Sequence, residues 1–197
     1  MQRLRRTLVW LSRIHHCRGF GIQSPTDYRF VRYVINEHWP YYRYADLARE
    51  VTGISGTQRK LCELCFRLAN YCQADWFVDI YPATDAYATY VTAGCCKTKV
   101  CRVSQEGVKL RLADPKKPCL VRVACQEDKV SMLSGLLHGC APGTVVMVEG
   151  IKKDRAARRQ WKAFMALPEV GASYDLYYCG IIIADNRRYK KNYIINF

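Results

Sequence analysis

The part of the sequence that most constrains the fold is residues 60–92. Residues 60–71 repeat apolar side chains at helical spacing, which predicts an amphipathic helix. The short apolar run of residues 76–80 follows, and Asp79 lies near its end. A loop at residues 81–85 then leads into a second helical segment. This order of helix, strand, loop and helix predicts the opening unit of an α/β domain of the nucleotide-binding type.

The loop after the predicted strand contains no glycine, although such loops are normally glycine-rich. Residues 81–85 are Tyr-Pro-Ala-Thr-Asp. Glycine is favoured there because the backbone must approach a bound nucleotide closely. The sequence therefore predicts that the chain keeps the α/β scaffold of such domains but has lost the loop that binds a cofactor.

The composition is that of one globular unit with reduced thiols. The chain has 197 residues, of which 50% are hydrophobic and 24% charged. The chain shows no apolar run of the roughly 18 residues that span a membrane and no secretory signal. The 11 cysteines are then expected as free thiols of a cytoplasmic protein. Cys62 and Cys65 share one helical face without a second ligand pair nearby, so no metal site is expected.

The positive charge is clustered, and it leaves two interpretations open. The formal net charge is +14, which favours acidic partners such as nucleic acid, but solvated helix faces would give the same pattern. The clusters are Arg3, Arg5, Arg6, Arg13 and Arg18; Lys152, Lys153, Arg155, Arg158, Arg159 and Lys162; and Arg187, Arg188, Lys190 and Lys191. Aromatic residues that would either stack on bases or pack in the core are Trp10, Tyr28, Tyr41, Tyr42, Tyr44 and Tyr189.

The first helical segment, residues 2–16, also allows two interpretations. Leu4, Leu8 and Leu11 lie near Trp10 among arginines. Such a helix can rest on an anionic lipid surface, or it can pack on the core of the domain. The sequence alone does not separate these alternatives.

The remaining pattern predicts a helical extension at residues 1–57 and an α/β domain at residues 58–197, forming one compact unit. Ser24 and Pro25 begin the second helix of the extension. Later strands are predicted at residues 99–103, 108–112, 119–124 and 144–148, and helices at 129–137 and 155–165. The short spacing between the first two of these strands leaves a hairpin or a non-sheet segment open. Residues 174–178, 180–184 and 193–197 predict an antiparallel edge, and the alternation predicts a three-layer α/β/α sandwich.

Three segments resemble a known family. They are Phe-Gly-Ile-Gln-Ser-Pro at residues 20–25, residues 64–71, and residues 174–183 with the closing residues 193–197. In these segments the chain resembles class I S-adenosylmethionine-dependent methyltransferases, and within them a Bacteroidetes branch with a helical N-terminal extension. The resemblance implies a Rossmann-like sheet with a C-terminal antiparallel hairpin, and S-adenosylmethionine as the cofactor.

The resemblance also assigns cofactor positions, and several carry unexpected residues. Asp79 occupies the acid position of the first motif, Tyr81 and Asp85 stand where two glycines belong, and Ala83 lies between them. Ser104 stands at the position of the ribose-binding acid, and Asp114 at that of the adenine-contacting acid.

Metal-dependent relatives carry several acids after the fourth and fifth strands, and Glu149 alone remains here. An open alternative is that Asp79, Asp114 and Glu149 are ordinary strand-end acids that cap helices. No catalytic residue stands out. These departures predict weak or absent methyl transfer; the alternative function is non-catalytic binding of nucleic acid or another acidic partner.

Overall fold

The structure, a computed structural model, describes residues 2–16, 19–103, 117–124 and 129–197. Side chains are described from residue 7 onwards, except for those of residues 129 and 130. The helices are α1 (Gln2–Ser12), α2 (Pro25–Phe30), α3 (Arg43–Glu50), α4 (Gly56–Cys72), α5 (Ala86–Gly94), α6 (Lys129–His138) and α7 (Arg155–Ala166). The strands are β1 (Trp76–Ile80), β2 (Lys99–Val103), β3 (Leu120–Ala124), β4 (Thr144–Glu149), β5 (Val170–Asp175), β6 (Cys179–Ala184) and β7 (Lys191–Ile194).

The described strands form one sheet in the order β2-β1-β3-β4-β6-β5-β7. Strands β2, β1, β3 and β4 pair in parallel. Strand β6 runs antiparallel between β4 and β5, so β5 points the same way as the central strands. The predicted C-terminal antiparallel hairpin is therefore confirmed as β5 and β6.

Two details of the predicted tail are wrong. The outermost strand β7 pairs with β5 in parallel, not antiparallel. The strand predicted at residues 174–178 ends at Asp175, and the next three residues form the turn into β6. The backbone of Tyr177 has a φ of 73°, which is a turn conformation that a strand does not adopt.

Each face of the sheet is covered by its own helices and its own apolar core. Phe77 and Leu120 belong to the core shared with α4 and α5. Their strand neighbours Val78 and Val121 point to the opposite core, which includes residues of α6 and α7. This alternation follows from the two-residue repeat of a strand, and it confirms the three-layer α/β/α arrangement.

The helices before α4 are joined to the domain by packing and by hydrogen bonds. Ser24 caps α2 as predicted, because its hydroxyl oxygen accepts a hydrogen bond from the backbone N–H of Asp27 at 3.3 Å. Helix α2 continues as a π-helical turn over Val31–Ile35. Buried Arg67 of α4 donates to the carbonyl oxygens of Val34 at 2.7 Å and Ile35 at 3.2 Å. The guanidinium thereby satisfies carbonyl groups that the end of that turn leaves without helical partners.

Close packing between the sheet and α7 gives a first prediction. A β-carbon at Gly180 of β6 would overlap the indole ring of Trp161, which is buried in α7. We expect Gly180→Ala to lower the free energy of unfolding by about 1–3 kcal/mol through overpacking, as measured by urea denaturation. Gly135→Ala is the matched control, because open space surrounds that position in α6 and alanine favours a helix by about 0.5–1 kcal/mol. Equal effects of the two substitutions would contradict this packing.

Candidate functional site

Three charged residues meet at the carboxyl ends of the central parallel strands. Asp79 of β1 is paired in register with Arg122 of β3, and Glu149 is the last residue of β4. The Arg122 guanidinium donates to Asp79 Oδ1 at 3.2 Å and to Glu149 Oε2 at 2.5 Å. The Asp79 side chain is completely buried, and that of Arg122 is 6% exposed. One arginine therefore bridges two acids at the edge of the sheet where ligands bind in open α/β folds.

An aromatic ring covers the guanidinium on the side of α5. The Cζ atom of Arg122 lies 4.6 Å from the ring centroid of Tyr87, which is in the first turn of α5. This distance allows a cation–π contact, which is strengthened when the cation is desolvated. We call Asp79, Tyr87, Arg122 and Glu149 the Arg122 cluster.

Burial and charge pull the pKa values of this cluster in opposite directions. Burial raises the pKa of Asp79, and the nearby Arg122 only partly offsets that effect. Burial alone would lower the pKa of Arg122, but the charges of Glu149 and Asp79 outweigh it and raise that pKa. Arg122 is therefore a permanent cation. In the described part of the chain, Asp79 Oδ2 has no hydrogen-bond partner, so this carboxylate is only half satisfied.

The glycine-free loop adopts a backbone conformation typical of glycine. Tyr81 has a φ of 53°, in the left-handed region that side chains rarely enter. Its N–H donates to the carbonyl oxygen of Val103 at 2.8 Å, which fixes the start of the loop against β2. Asp85 at the other end is exposed and pairs with Arg102 of β2 at 3.0 Å. Ala83 lies between them, exposed on the loop.

Two of the assigned cofactor positions lie outside the described residues. These are Ser104, directly after β2, and Asp114; the predicted strand at residues 108–112 falls in the same gap. Their placement in the site stays a prediction.

Sequence reasoning missed Arg122 and Tyr87, and it offered a helix-capping alternative that is wrong for Asp79 and Glu149. Both acids accept hydrogen bonds from Arg122. The cap of α7 is Asp154, which accepts from the N–H of Ala157 at 2.7 Å. One signal was available, because Arg122 interrupts an otherwise apolar strand and a buried charge requires a partner.

The candidate metal ligands do not converge. Among the described residues, no group of three or more histidine, cysteine, aspartate or glutamate side chains is placed to hold a metal ion. Glu149 is held by Arg122 instead. Cys62 and Cys65 are buried in the core, where burial raises the pKa of Cys62 to about 12. The Cys65 thiol lies 3.5 Å from the sulfur of Met147.

A groove lies beside α1, near the carboxyl end of β5. Its volume is about 370 Å³, and its walls include Trp10, Lys60, Tyr177 and Phe197. Arg13, which follows α1, donates to Asp175 Oδ1 at 2.8 Å, and Lys152 pairs with the other oxygen of that carboxylate at 2.7 Å. The Arg13 bond fixes the end of the first helix to the carboxyl end of β5, and the Lys152 bond joins the connection between β4 and α7 to the same carboxylate.

The basic clusters have different environments. In α7, Arg155, Arg158, Arg159 and Lys162 are all exposed on one helical face; we call them the α7 stripe. In the third cluster, Arg188 binds Asp27 at 2.6 Å and Lys190 binds the carbonyl oxygens of Ala166 and Leu167. In the first cluster, Arg13 is bound as above, and the side chains of Arg3, Arg5, Arg6 and Arg18 fall outside the described part.

The six aromatic residues divide between the core and the surface. Tyr41 and Tyr44 pack against Phe66 with ring centroids 5.0 and 5.2 Å away, so the core interpretation holds for these two. Tyr42 and Tyr189 are 86% and 88% exposed. Trp10 and Tyr28 are 50% and 40% exposed, and Leu8 and Leu11 of α1 are exposed to a similar extent. No helix in the described ranges is long and apolar enough to cross a bilayer.

Comparison with known proteins identifies the fold. No family model matches the chain, and no curated protein matches it. Among solved structures, cofactor-bound Rv0187 from MTB is similar, with 12% identity, a TM-score of 0.50, and coverage of 83% of this chain and 97% of that one. The chain has the α/β fold of that structure.

Two further solved structures are similar to this chain. The O-methyltransferase from Bacillus cereus in complex with SAH has 11% identity and a TM-score of 0.45, covering 78% of this chain and 95% of its own. A putative O-methyltransferase from Klebsiella pneumoniae has 10% identity and a TM-score of 0.42, covering 82% and 97%.

Proposed function

We propose that this chain keeps the methyltransferase scaffold, binds S-adenosylmethionine weakly or not at all, and has weak or no methyl-transfer activity. The observation that carries the proposal is the Arg122 guanidinium, held between Asp79 and Glu149 at the carboxyl edge of the sheet. This edge is where open α/β sheets bind their ligands.

The residues present do not fit the cofactor, because the acids at this edge are already bound. The guanidinium of Arg122 lies between Asp79 and Glu149 and pairs with both of them. Asp79, the acid that the family resemblance assigns to cofactor binding, already accepts a hydrogen bond from Arg122.

The loop adds a steric reason. Glycine allows backbone N–H groups to approach an anionic group closely, whereas the loop here begins with the side chain of Tyr81 and ends with the carboxylate of Asp85. By the family resemblance, Asp85 would add a negative charge near the carboxylate of the cofactor. Tyr81 retains the left-handed backbone without the open space that glycine provides.

Thermal denaturation with the cofactor tests this proposal. We expect 2 mM S-adenosylmethionine to change the Tm of the protein by less than about 1 °C, because weak binding adds little to stability. A Kd of about 10 μM would instead stabilise the fold by roughly 3 kcal/mol, or about 6–12 °C in Tm. Adenosine at the same concentration is the control for non-specific effects. A shift of the larger size with S-adenosylmethionine alone would overturn the proposal.

A second proposed function is binding of a nucleic acid through the α7 stripe. Its four cations lie at positions i, i+3, i+4 and i+7 of one helix, and such positions share a face. No acidic residue in the described ranges forms an ion pair with them. Other cations of the chain, such as Arg188 and Arg13, are bound to buried acids. The stripe therefore remains available for phosphate groups.

The salt dependence of binding tests the α7 stripe. For a fluorescent single-stranded oligonucleotide we expect log K to fall with log[salt] with a slope of about −3, if four phosphates are contacted. Arg158→Ala/Lys162→Ala should bring the slope to about −1.4, as measured by fluorescence anisotropy between 50 and 200 mM salt. Arg49→Ala/Lys97→Ala, which removes two exposed cations elsewhere, should leave it unchanged. Binding that does not respond to salt, or that both double variants weaken equally, would contradict a role for the stripe.

A further inference from the structure

Two cysteine thiols lie together at the end of the sheet opposite the Arg122 cluster. Cys119 directly precedes β3, and Cys140 lies two residues after the end of α6. Their Sγ atoms are 3.8 Å apart. The hydroxyl oxygen of Thr144 lies 3.8 Å from the Cys119 sulfur and accepts a hydrogen bond from the Cys119 N–H at 3.3 Å. The position of Cys119 is therefore fixed by the first residue of β4.

The two sulfurs differ in access. Cys119 is 3% exposed, whereas Cys140 is partly exposed and lines a pocket of about 250 Å³. His138 and Arg187 also line this pocket, together with Glu169 and Asp185. A small molecule in the pocket would therefore meet Cys140 first, with Cys119 directly behind it.

The Cys119 thiol also differs electrostatically from the buried thiols of Cys65 and Cys179. The hydrogen bond from Cys140 lowers the pKa of Cys119, although burial opposes that effect. The same bond, together with burial, raises the pKa of Cys140. By contrast, burial raises the pKa values of the Cys65 and Cys179 thiols. A thiolate is the reactive form in thiol–disulfide exchange, and a thiolate formed at Cys119 can take the proton of Cys140 across the hydrogen bond that joins them.

We propose that Cys119 and Cys140 form an oxidisable dithiol, which a low-molecular-weight disulfide such as oxidised glutathione converts to an intramolecular disulfide. Cys140 passes its proton to the Cys119 thiolate, attacks one sulfur of the small disulfide, forms a mixed disulfide and releases one small thiolate. Cys119, as thiolate, then attacks Sγ of Cys140 and releases the second. Two protein thiols are oxidised, the small disulfide is reduced to two thiols, and these take up the two protons.

The geometry permits the second step with a small movement. A disulfide bond is about 2.05 Å long, so the two sulfur atoms must approach by roughly 1.8 Å from their separation of 3.8 Å. The bond would close a chain segment that contains α6 and would tie that helix to the start of β3. Such a cross-link stabilises a fold mainly by restricting its unfolded state.

Peptide mapping of the full chain tests the proposal. The reduced protein is treated with oxidised glutathione for increasing times, its free thiols are alkylated, and its peptides are identified by mass spectrometry. We expect a Cys119–Cys140 cross-linked peptide to be the first intramolecular disulfide, and the oxidised protein to have a Tm higher by about 4 °C or more. Exposed Cys96 should carry at most a mixed disulfide.

Three variants separate the two steps. Cys119→Ser should stop the reaction at a mixed disulfide on Cys140, and Cys140→Ser should leave Cys119 unmodified. Cys96→Ser is the matched control and should leave the cross-link unchanged. The proposal is overturned if Cys119 and Cys140 are both still free for alkylation after the oxidation while Cys96 is modified. It is also overturned if either of the two pairs with another cysteine. The peptide map of the protein without substitutions decides whether Cys119 and Cys140 pair, even if one of the variants fails to fold. The result does not depend on cofactor or nucleic-acid binding, because the pair lies at the other end of the sheet.

Discussion

Replacing Arg122 with alanine is expected to lower the free energy of unfolding by about 3–5 kcal/mol at neutral pH. The substitution leaves the completely buried carboxylate of Asp79 without its ion-pair partner, and it removes the cation packed over Tyr87. Removing one member of a buried pair is costly because the remaining charge stays in a poorly polar environment. Urea denaturation at pH 7.5 measures the loss.

The pH dependence of that loss identifies its cause. Burial raises the pKa of Asp79, and Arg122 is the main influence that lowers it. Without Arg122, the folded-state pKa rises further above the unfolded value. The penalty should therefore grow as pH rises through the folded pKa, and it should shrink as pH falls towards the ordinary value of 3.8. We expect a smaller loss at pH 5 than at pH 7.5.

Two further variants control the Arg122 experiment. Asp79→Asn combined with Arg122→Ala should recover at least about 1 kcal/mol, because no buried charge is left unpaired. Arg102→Ala removes the exposed pair with Asp85 and should cost less than about 1 kcal/mol. A loss from Arg122→Ala that is the same at both pH values, and that the double variant does not reduce, would contradict the account of the cluster.

Replacing Asp27 with alanine is expected to cost about 3–5 kcal/mol as well. Asp27 is 1% exposed. Its carboxylate accepts hydrogen bonds from Tyr174 at 2.8 Å, Tyr193 at 2.9 Å and Arg188 at 2.6 Å. The substitution would leave three donors from the C-terminal strands and their connection without an acceptor. Urea denaturation at pH 7 measures this effect.

Acid denaturation provides the second measurement for Asp27. Burial would raise its pKa, but the hydrogen bonds from Arg188, Tyr174 and Tyr193 together lower it below the ordinary value of 3.8. A carboxyl with a lowered folded-state pKa contributes stability above its unfolded pKa and loses that contribution as pH falls through the folded value. Between pH 5 and pH 2, the free energy of unfolding of the Asp27→Asn variant should therefore fall less than that of the unmodified protein. Equal losses would show that Asp27 is not the hub that joins α2 to the tail. Glu37→Gln, which changes a carboxylate in the loop after the π-helical turn, is the control.

The sequence predicts most of the elements, because their signals are local. Helix α4 has apolar side chains at helical spacing, and Ser24 before Pro25 marks the start of α2. These patterns depend only on neighbours within a few residues. The identification of Asp79 as a buried strand acid succeeds for the same reason.

The contacts that define the site depend on topology instead. Arg122 meets partners that are 43 and 27 residues away along the chain, through parallel pairings that no local pattern encodes. The bond between Asp27 and Tyr174 spans 147 residues. The sequence pattern places this strand at residues 174–178 and misses the start of β5, because Gly171, Ala172 and Ser173 have weak strand preference, although all three are buried in the sheet.

The most direct test of the closed cofactor edge is isothermal titration of the purified chain with S-adenosylhomocysteine and, separately, with S-adenosylmethionine. The account predicts no measurable heat of binding at millimolar ligand, because Arg122 already occupies Asp79 and Glu149. Adding Tyr81→Gly should not create a site while Arg122 remains. Micromolar binding of either ligand to the unmodified protein would contradict the account.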